Sequence, residues 1–301
     1  MPVGVMFPGQ GAQKQGMGAA WRQHAAWNVV ERAEGVLGRP LEDLLVEQEL
    51  HRTADAQLAV LLCSLMAWET ARPALPEIVG FGGHSLGQVT ALIAAGALSF
   101  DDGVRLAARR ADVTQAAADR HPGRMAALLG AGDEQLDAAL AGADGNCWLA
   151  NDNAPGQTVI AGTPEGVDAA SDAARAAGVR KIVPLDVGGA FHTPLMNEAR
   201  EAFLPDLARC SFHSVELPVV SNGDARKYTD ADGWPARLAD HLVQPVRWRQ
   251  SMQTLVAMGA DGLVEVGPGN TLCGMAKRTV PDVPATQAGS IEPVPKSVGV
   301  S

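Results

Sequence analysis

Two rhythms of apolar and polar positions divide the chain. Val3-Gly4-Val5-Met6-Phe7 is an unbroken apolar run that stops at Pro8-Gly9-Gln10-Gly11-Ala12-Gln13, which predicts a buried strand and a loop. Helical patterning then covers much of 17–72. A second apolar run over 77–82 reads as another buried strand, and Val89 to Ala95 reads as a helix halted by Gly96. A further helix, from about Phe100 to Ala118, carries Arg105, Arg109 and Arg110.

The next segment follows its own pattern. Met125 to Leu129, Cys147 to Ala150, Gln157 to Ala161 and Lys181 to Leu185 are strand-like, and Asp133 to Leu140 is helix-like. Thr163 is placed to N-cap another helix, with Pro164 at its first position and Gly178 past its end. The order β-α-β-β-α-β is the split βαβ, ferredoxin-like arrangement. The expected fold class is therefore α/β. A large α/β-hydrolase-like domain with a parallel sheet, from 1–118 and 186–280, carries a small ferredoxin-like module inserted at 119–185. The Pro-, Gly-, Ser- and Val-rich stretch 281–301 reads as a loose tail.

Between the strand at 77–82 and the helix at 89–96 lies Gly83-His84-Ser85-Leu86-Gly87. Strand, Gly-x-Ser-x-Gly turn and helix make a nucleophile elbow, in which two glycines allow a turn tight enough to present the serine hydroxyl. The helix N-terminus offers free N–H groups and a positive dipole end to a developing oxyanion. Ser85 is thus the candidate nucleophile, and the Leu86 N–H is one oxyanion donor. The elbow alone serves hydrolases and transferases equally. Gly9-x-Gly11 fails as a dinucleotide loop, because Lys14 stands where a third glycine is required.

Composition narrows the classes. The 301 residues suffice for one large domain with an inserted module. Lys and Arg number 24 against 34 Asp and Glu, a net charge of −10, which argues against nucleic acid or an anionic membrane as partner. Cys63, Cys147, Cys210 and Cys273 lie far apart with no metal-ligand spacing, so no metal is expected and the thiols read as reduced and mostly buried. The N-terminus lacks a basic region and a cleavage site. The longest strongly apolar stretch, Leu58 to Trp68, is well short of the roughly 20 residues that span a bilayer. A soluble, cytoplasmic protein is expected.

A serine hydroxyl needs a base. Of seven histidines, His24, His51, His121 and His213 lie in polar or helical surroundings and read as surface or structural. His84 lies within the elbow but is directed away from the serine, as a packing and hydrogen-bonding residue. His192 follows the bend Gly188-Gly189-Ala190-Phe191, which can present a side chain to a cleft.

Six motifs in order resemble the malonyl-CoA:acyl-carrier-protein transacylases, the acyltransferase family of fatty-acid and polyketide synthesis. They are Phe7 to Gln13, Gly83 to Gly87, Arg110, Asn151-Asp152-Asn153 with Gln157, Gly189-Ala190-Phe191-His192, and Glu265-Val266-Gly267-Pro268-Gly269. The resemblance covers about residues 3–280. It implies His192 as the base and the Gln10 N–H as the second oxyanion donor. It also implies the backbone carbonyl of His241 as the group that orients His192. Gln is frequent at that position in the family, but a carbonyl does not depend on side-chain identity. Arg110, 25 positions after Ser85, matches the family's carboxylate-binding arginine, and a guanidinium fits a malonyl carboxylate with two parallel donors. Phe191 and Asn153 are implied in the substrate pocket. Ala111 stands for the usual Gly and Gln88 for the usual Glu.

The implied activity is malonyl transfer, by a ping-pong route through Ser85, from malonyl-CoA or a related acyl-CoA to the phosphopantetheine thiol of a holo acyl carrier protein, with no cofactor. Two alternatives stand beside it: an acyl hydrolase clearing carrier proteins, and a non-catalytic carrier-docking subunit. A Ser-His-acid hydrolase requires a carboxylate orienter between serine and histidine. The nominal one, Asp186, lies close in sequence to His192.

Overall fold

A computed structural model of the chain describes residues 1–289. Strand β1 (Val3–Phe7) is buried along its whole length, as a strand covered on both faces must be. It is the centre of a six-stranded sheet. On one side it pairs in parallel with β2 (Ile78–Gly83), and β2 with β7 (Val219–Val220). On the other it pairs in parallel with β9 (Gly262–Glu265), and β9 with β10 (Ala285–Gln287). A short antiparallel edge strand, β8 (Lys227–Tyr228), closes the order β10-β9-β1-β2-β7-β8.

Helices cover both faces. On one lie α1 (Asn28–Leu37), α2 (Glu42–Val46), α3 (Thr53–Ala71), α4 (Gly87–Ala95), α5 (Phe100–Arg120), α8 (Asn197–Leu207) and α9 (Trp234–Asp240), packed in the largest core cluster. There Phe7 and Phe81 stack at 6.5 Å, and Trp68 meets their edges at 5.9 and 5.6 Å. The apolar run Leu58 to Trp68 lies in α3, which is buried almost all round. No helix among the described residues is long and apolar enough to cross a membrane. Against the other face, Met6 and Leu263 pack with Trp248, Met252 and Leu255 of α10 (Trp248–Ala257) and with α11 (Thr271–Thr279).

A second, antiparallel sheet is built entirely between α5 and α8. It contains β3 (Arg124–Leu129), β4 (Cys147–Ala154), β5 (Gln157–Gly162) and β6 (Lys181–Pro184), in the order β4-β5-β3-β6. Alternation sorts its faces: Ala126 and Leu128 pack on α6 (Asp133–Gly142) and α7 (Pro164–Ala176), while Met125 and Ala127 meet Ala190 and Phe191. The Thr163 hydroxyl caps α7 by accepting the Gly166 N–H. The two sheets are joined where β4 meets the segment before α10. The Asp152 N–H donates to the Val246 carbonyl, the Val246 N–H to the Ala150 carbonyl, and Asp152 Oδ2 accepts from Arg249 and Gln250.

The expectation of a loose tail from Pro281 fails in its first part. Ala285–Gln287 is an edge strand whose backbone completes a ladder that β9 would otherwise leave open. Residues 290–301 lie outside the described residues.

Candidate active site

Ligands of open parallel sheets gather at the carboxyl ends of the strands, and here three such ends converge. The loop after β1 carries Gln10, the elbow after β2 carries Ser85, and the segment after β7 carries Asn222. The elbow's tightness excludes side chains at both glycines. A Cβ at Gly83 would lie 1.9 Å from the Gly87 carbonyl oxygen, and one at Gly87 would lie 2.2 Å from that of Phe7. Ser85 is thereby held at φ 53°, in the left-handed region that L residues avoid.

His192 shares this backbone conformation, with φ 62°. Its bend is fixed by Thr193, whose hydroxyl donates to the Ala190 carbonyl at 2.6 Å and accepts the Leu195 N–H at 3.3 Å. The two residues meet at 2.8 Å between Ser85 Oγ and His192 Nε2. On the far side of the ring, Nδ1–H donates to the His241 carbonyl at 2.8 Å. That carbonyl is free because His241 caps the C-terminus of α9, where helical carbonyls lack an intrahelical partner. The bond fixes the tautomer with Nε2 bare, as a base requires. Asp186 lines the cleft, but His192 Nδ1 is taken by the carbonyl.

Burial pushes the His192 imidazole down to about 3, with the Arg110 charge as the next cause. A base works in its neutral form, and a lowered pKa keeps that form populated as pH falls. Acylation of Ser85 should therefore show no loss on passing down through pH 6.5, the ordinary histidine value. A rapid-quench rate profile tests this, and a half-maximal rate near 6.5 would contradict it.

Arg110, 6% exposed on α5, rests against the nucleophile, with Nη2 donating to Ser85 Oγ at 3.1 Å. Nη1 donates to Gln57 Oε1 on α3, and Gln57 Nε2 donates to Thr114 Oγ1 at 3.1 Å. Burial pulls the guanidinium down to about 10, which leaves it charged at neutral pH. No carboxylate pairs with it among the described residues. Arg105 and Arg109, by contrast, pair with Asp102 and Asp206 at the surface. A buried, charged and unmatched guanidinium is costly unless an anion joins it.

The backbone N–H groups of Gln10 and Leu86 have no partner among the described residues, and both belong to turns bordering Ser85. Phe191 and Leu242 line the same cleft of about 240 Å³, with Gln57, Thr114 and Met125. Asn153 is set back. It is buried, and its Oδ1 accepts from His84 Nε2 at 2.8 Å, while Asn151 of the same motif faces the cleft. His84 also stands edge-on to Trp248, 5.5 Å between centroids.

Gln57 and Asn222 went unread in the sequence. Each is a lone amide far from Ser85 along the chain, and nothing local marks either. His241 contributes more than its carbonyl. Its ring lies 5.0 Å from that of His192, and its Nε2 is buried without a partner.

Fold and site together define an α/β enzyme class with an elbow serine, a carbonyl-oriented histidine and a buried anion-seeking arginine. The chain belongs to the acyl transferase domain family, whose model matches residues 5–297. It is 37% identical over 286 residues to the malonyl CoA-acyl carrier protein transacylase of Bacillus subtilis, covering 92% of this chain and 90% of the relative. A crystal structure of malonyl-CoA:acyl carrier protein transacylase from Xanthomonas oryzae superposes with a TM-score of 0.91 at 35% identity, covering 96% of each chain. A malonyl-transacylase solved in complex with its type II PKS acyl-carrier protein superposes with a TM-score of 0.89 at 32% identity, covering 96% of this chain and 95% of that one.

Proposed function

We propose that this chain transfers a malonyl group from coenzyme A to the phosphopantetheine thiol of an acyl carrier protein, through an acyl ester on Ser85. The observation that carries this reading is the Arg110 guanidinium, buried without a carboxylate partner and 3.1 Å from Ser85 Oγ. Malonyl thioesters bring the missing carboxylate, held at a fixed distance from the reacting carbonyl.

The steps follow from the geometry. Ser85 Oγ attacks the thioester carbonyl as His192 Nε2 takes the hydroxyl proton. The oxyanion is received by the N–H groups of Gln10 and Leu86. Collapse breaks the carbon–sulfur bond, and His192 returns its proton to the departing thiolate. Coenzyme A leaves. The carrier's thiol then gives its proton to His192 and attacks the ester carbonyl, and collapse breaks the ester bond as His192 returns that proton to Ser85 Oγ. Phe191 lines the cleft, and a ring there would crowd a 2-methyl substituent. Supporting a hydrolase-like large domain are the parallel strand order and the elbow. The β4-β5-β3-β6 order supports a ferredoxin-like insert, which we bound at 119–185. The free cysteines and an acyl-CoA substrate support a cytoplasmic location.

The test is selectivity. Truncating one member of a buried charged pair costs about 2–5 kcal/mol. Arg110→Ala should thus lower malonyl transfer roughly 30-fold or more. Acetyl transfer needs no such partner and should hold or rise. Parallel assays with malonyl-CoA and acetyl-CoA read the ratio, and an equal loss of both would make Arg110 structural. Intact-mass measurement after mixing with malonyl-CoA separates the alternatives. A stable malonyl adduct marks the transferase, coenzyme A release without one the hydrolase, and neither the docking subunit.

A further inference from the structure

Behind the elbow, a side chain from the neighbouring strand binds both arms of the turn. Asn222, 1% exposed, lies two residues past the end of β7, which runs parallel to β2. Its Oδ1 accepts the Ser85 N–H at 2.8 Å, and its Nδ2 donates to the Gly83 carbonyl at 2.7 Å. One planar amide thus bridges the residues two apart that define the turn. Asn222 is itself held. Gln88 Oε1, in the first turn of α4, accepts from Asn222 Nδ2 at 3.0 Å and from the Asn222 N–H at 2.9 Å. The Asn222 carbonyl accepts the Arg247 N–H at 2.9 Å. Gln88 is 2% exposed and its Nε2 has no partner, so its oxygen alone serves the contact.

Two consequences bear on the reaction. The Ser85 backbone, at φ 53°, is tied at its N–H and at the Gly83 carbonyl two residues before it, which helps fix where Oγ stands relative to His192 Nε2. The Ser85 N–H is also occupied from behind, which leaves the Gln10 and Leu86 N–H groups as the donors for an oxyanion. We infer that Asn222, backed by Gln88, is a positioning residue for the transfer, holding the strained elbow so that the serine hydroxyl and the oxyanion donors keep their mutual geometry. The inference rests on the reading of Ser85 as nucleophile.

A displacement of about 1 Å at a reacting group costs on the order of 10²-fold in rate. In a rapid-quench experiment with malonyl-CoA, Asn222→Ala should therefore acylate about 10²-fold more slowly, yet still reach one malonyl per chain. Coenzyme A binding by calorimetry should be unchanged, because the cleft and Arg110 are untouched. Gln88→Met, which removes the acceptor, should slow the burst in the same way. Gln88→Glu offers an oxygen to the same two N–H groups and should stay within a few-fold of wild type. Because the two residues act as one unit, the double variant Asn222→Ala/Gln88→Met should be no slower than Asn222→Ala alone.

A merely structural Asn222 gives the opposite signature, a smaller burst amplitude at wild-type rate, and overturns the inference. Multiplying defects in the double variant do the same. If Asn222→Ala fails to fold, the Gln88 pair decides: Gln88→Met at wild-type rate overturns it, and a slow Gln88→Met beside a fast Gln88→Glu supports it. Peptide mapping separates the two readings. Malonyl on a residue other than Ser85 overturns the nucleophile assignment and this inference with it. Malonyl on Ser85 at unchanged rate in every variant overturns this inference alone.

Discussion

Ser85→Ala should abolish the malonyl-enzyme while leaving the fold intact. The side chain is half-buried, and alanine adopts φ 53° at no greater strain than serine, so the melting temperature should hold. Among the described residues no other hydroxyl is placed to take over. Thr114 lines the cleft, but its hydroxyl donates into the carbonyls of Arg110 and Ala111, at 2.8 and 3.1 Å, one turn back on its own helix. Ser64 is fully buried in the core. Intact-mass measurement after incubation with malonyl-CoA should show no adduct, and transfer to a carrier thiol should fall to background. An adduct retained at wild-type stoichiometry would remove Ser85 from the mechanism.

His192→Ala should slow both half-reactions, each by about 10²–10⁴-fold, the usual contribution of a general acid–base. One nitrogen faces Ser85 Oγ, so the same group must accept the serine proton in acylation and the carrier thiol proton in deacylation. His241 cannot substitute. Its ring lies 5.0 Å from that of His192 and does not line the cleft that Ser85 borders. Acylation is read with malonyl-CoA alone, and deacylation by adding carrier protein to the pre-acylated enzyme. If both rates stayed within a few-fold of wild type, the proton would have another acceptor.

What the sequence disclosed depended on range. The elbow was legible because all its determinants are local: an apolar strand, two glycines four positions apart and a helix stopped by Gly96. The resemblance singles out Arg110 among the three arginines of its helix, and burial sets it apart in the same way, with Arg105 and Arg109 exposed. The bend before His192 marked that residue locally, but its pairing with the His241 carbonyl came from resemblance, since nothing in the sequence announces an encounter across 49 positions. Strand β10 was missed because Ala285–Gln287 is three residues long and follows Pro284, so turn composition masked a strand that only its pairing with β9 creates. Asn153 was placed one position class too near the substrate. Strand alternation with bulges in β4 turns Asn151 to the cleft and leaves Asn153 to His84.

The left-handed backbone at Ser85 and His192 sets drift against activity. Conformations of this kind cost of order 1–3 kcal/mol per residue when the residue is not glycine. Glycine occupies them freely. At both positions, then, the mutation that relieves the local penalty is also the one that deletes the reacting group. A lineage released from selection for acyl transfer meets two silencing changes that carry a compensating gain in backbone energy, so loss of activity is downhill at the very residues the chemistry needs. Under the proposed mechanism, Ser85 and His192 keep their reacting groups at a cost in backbone energy that glycine would not pay.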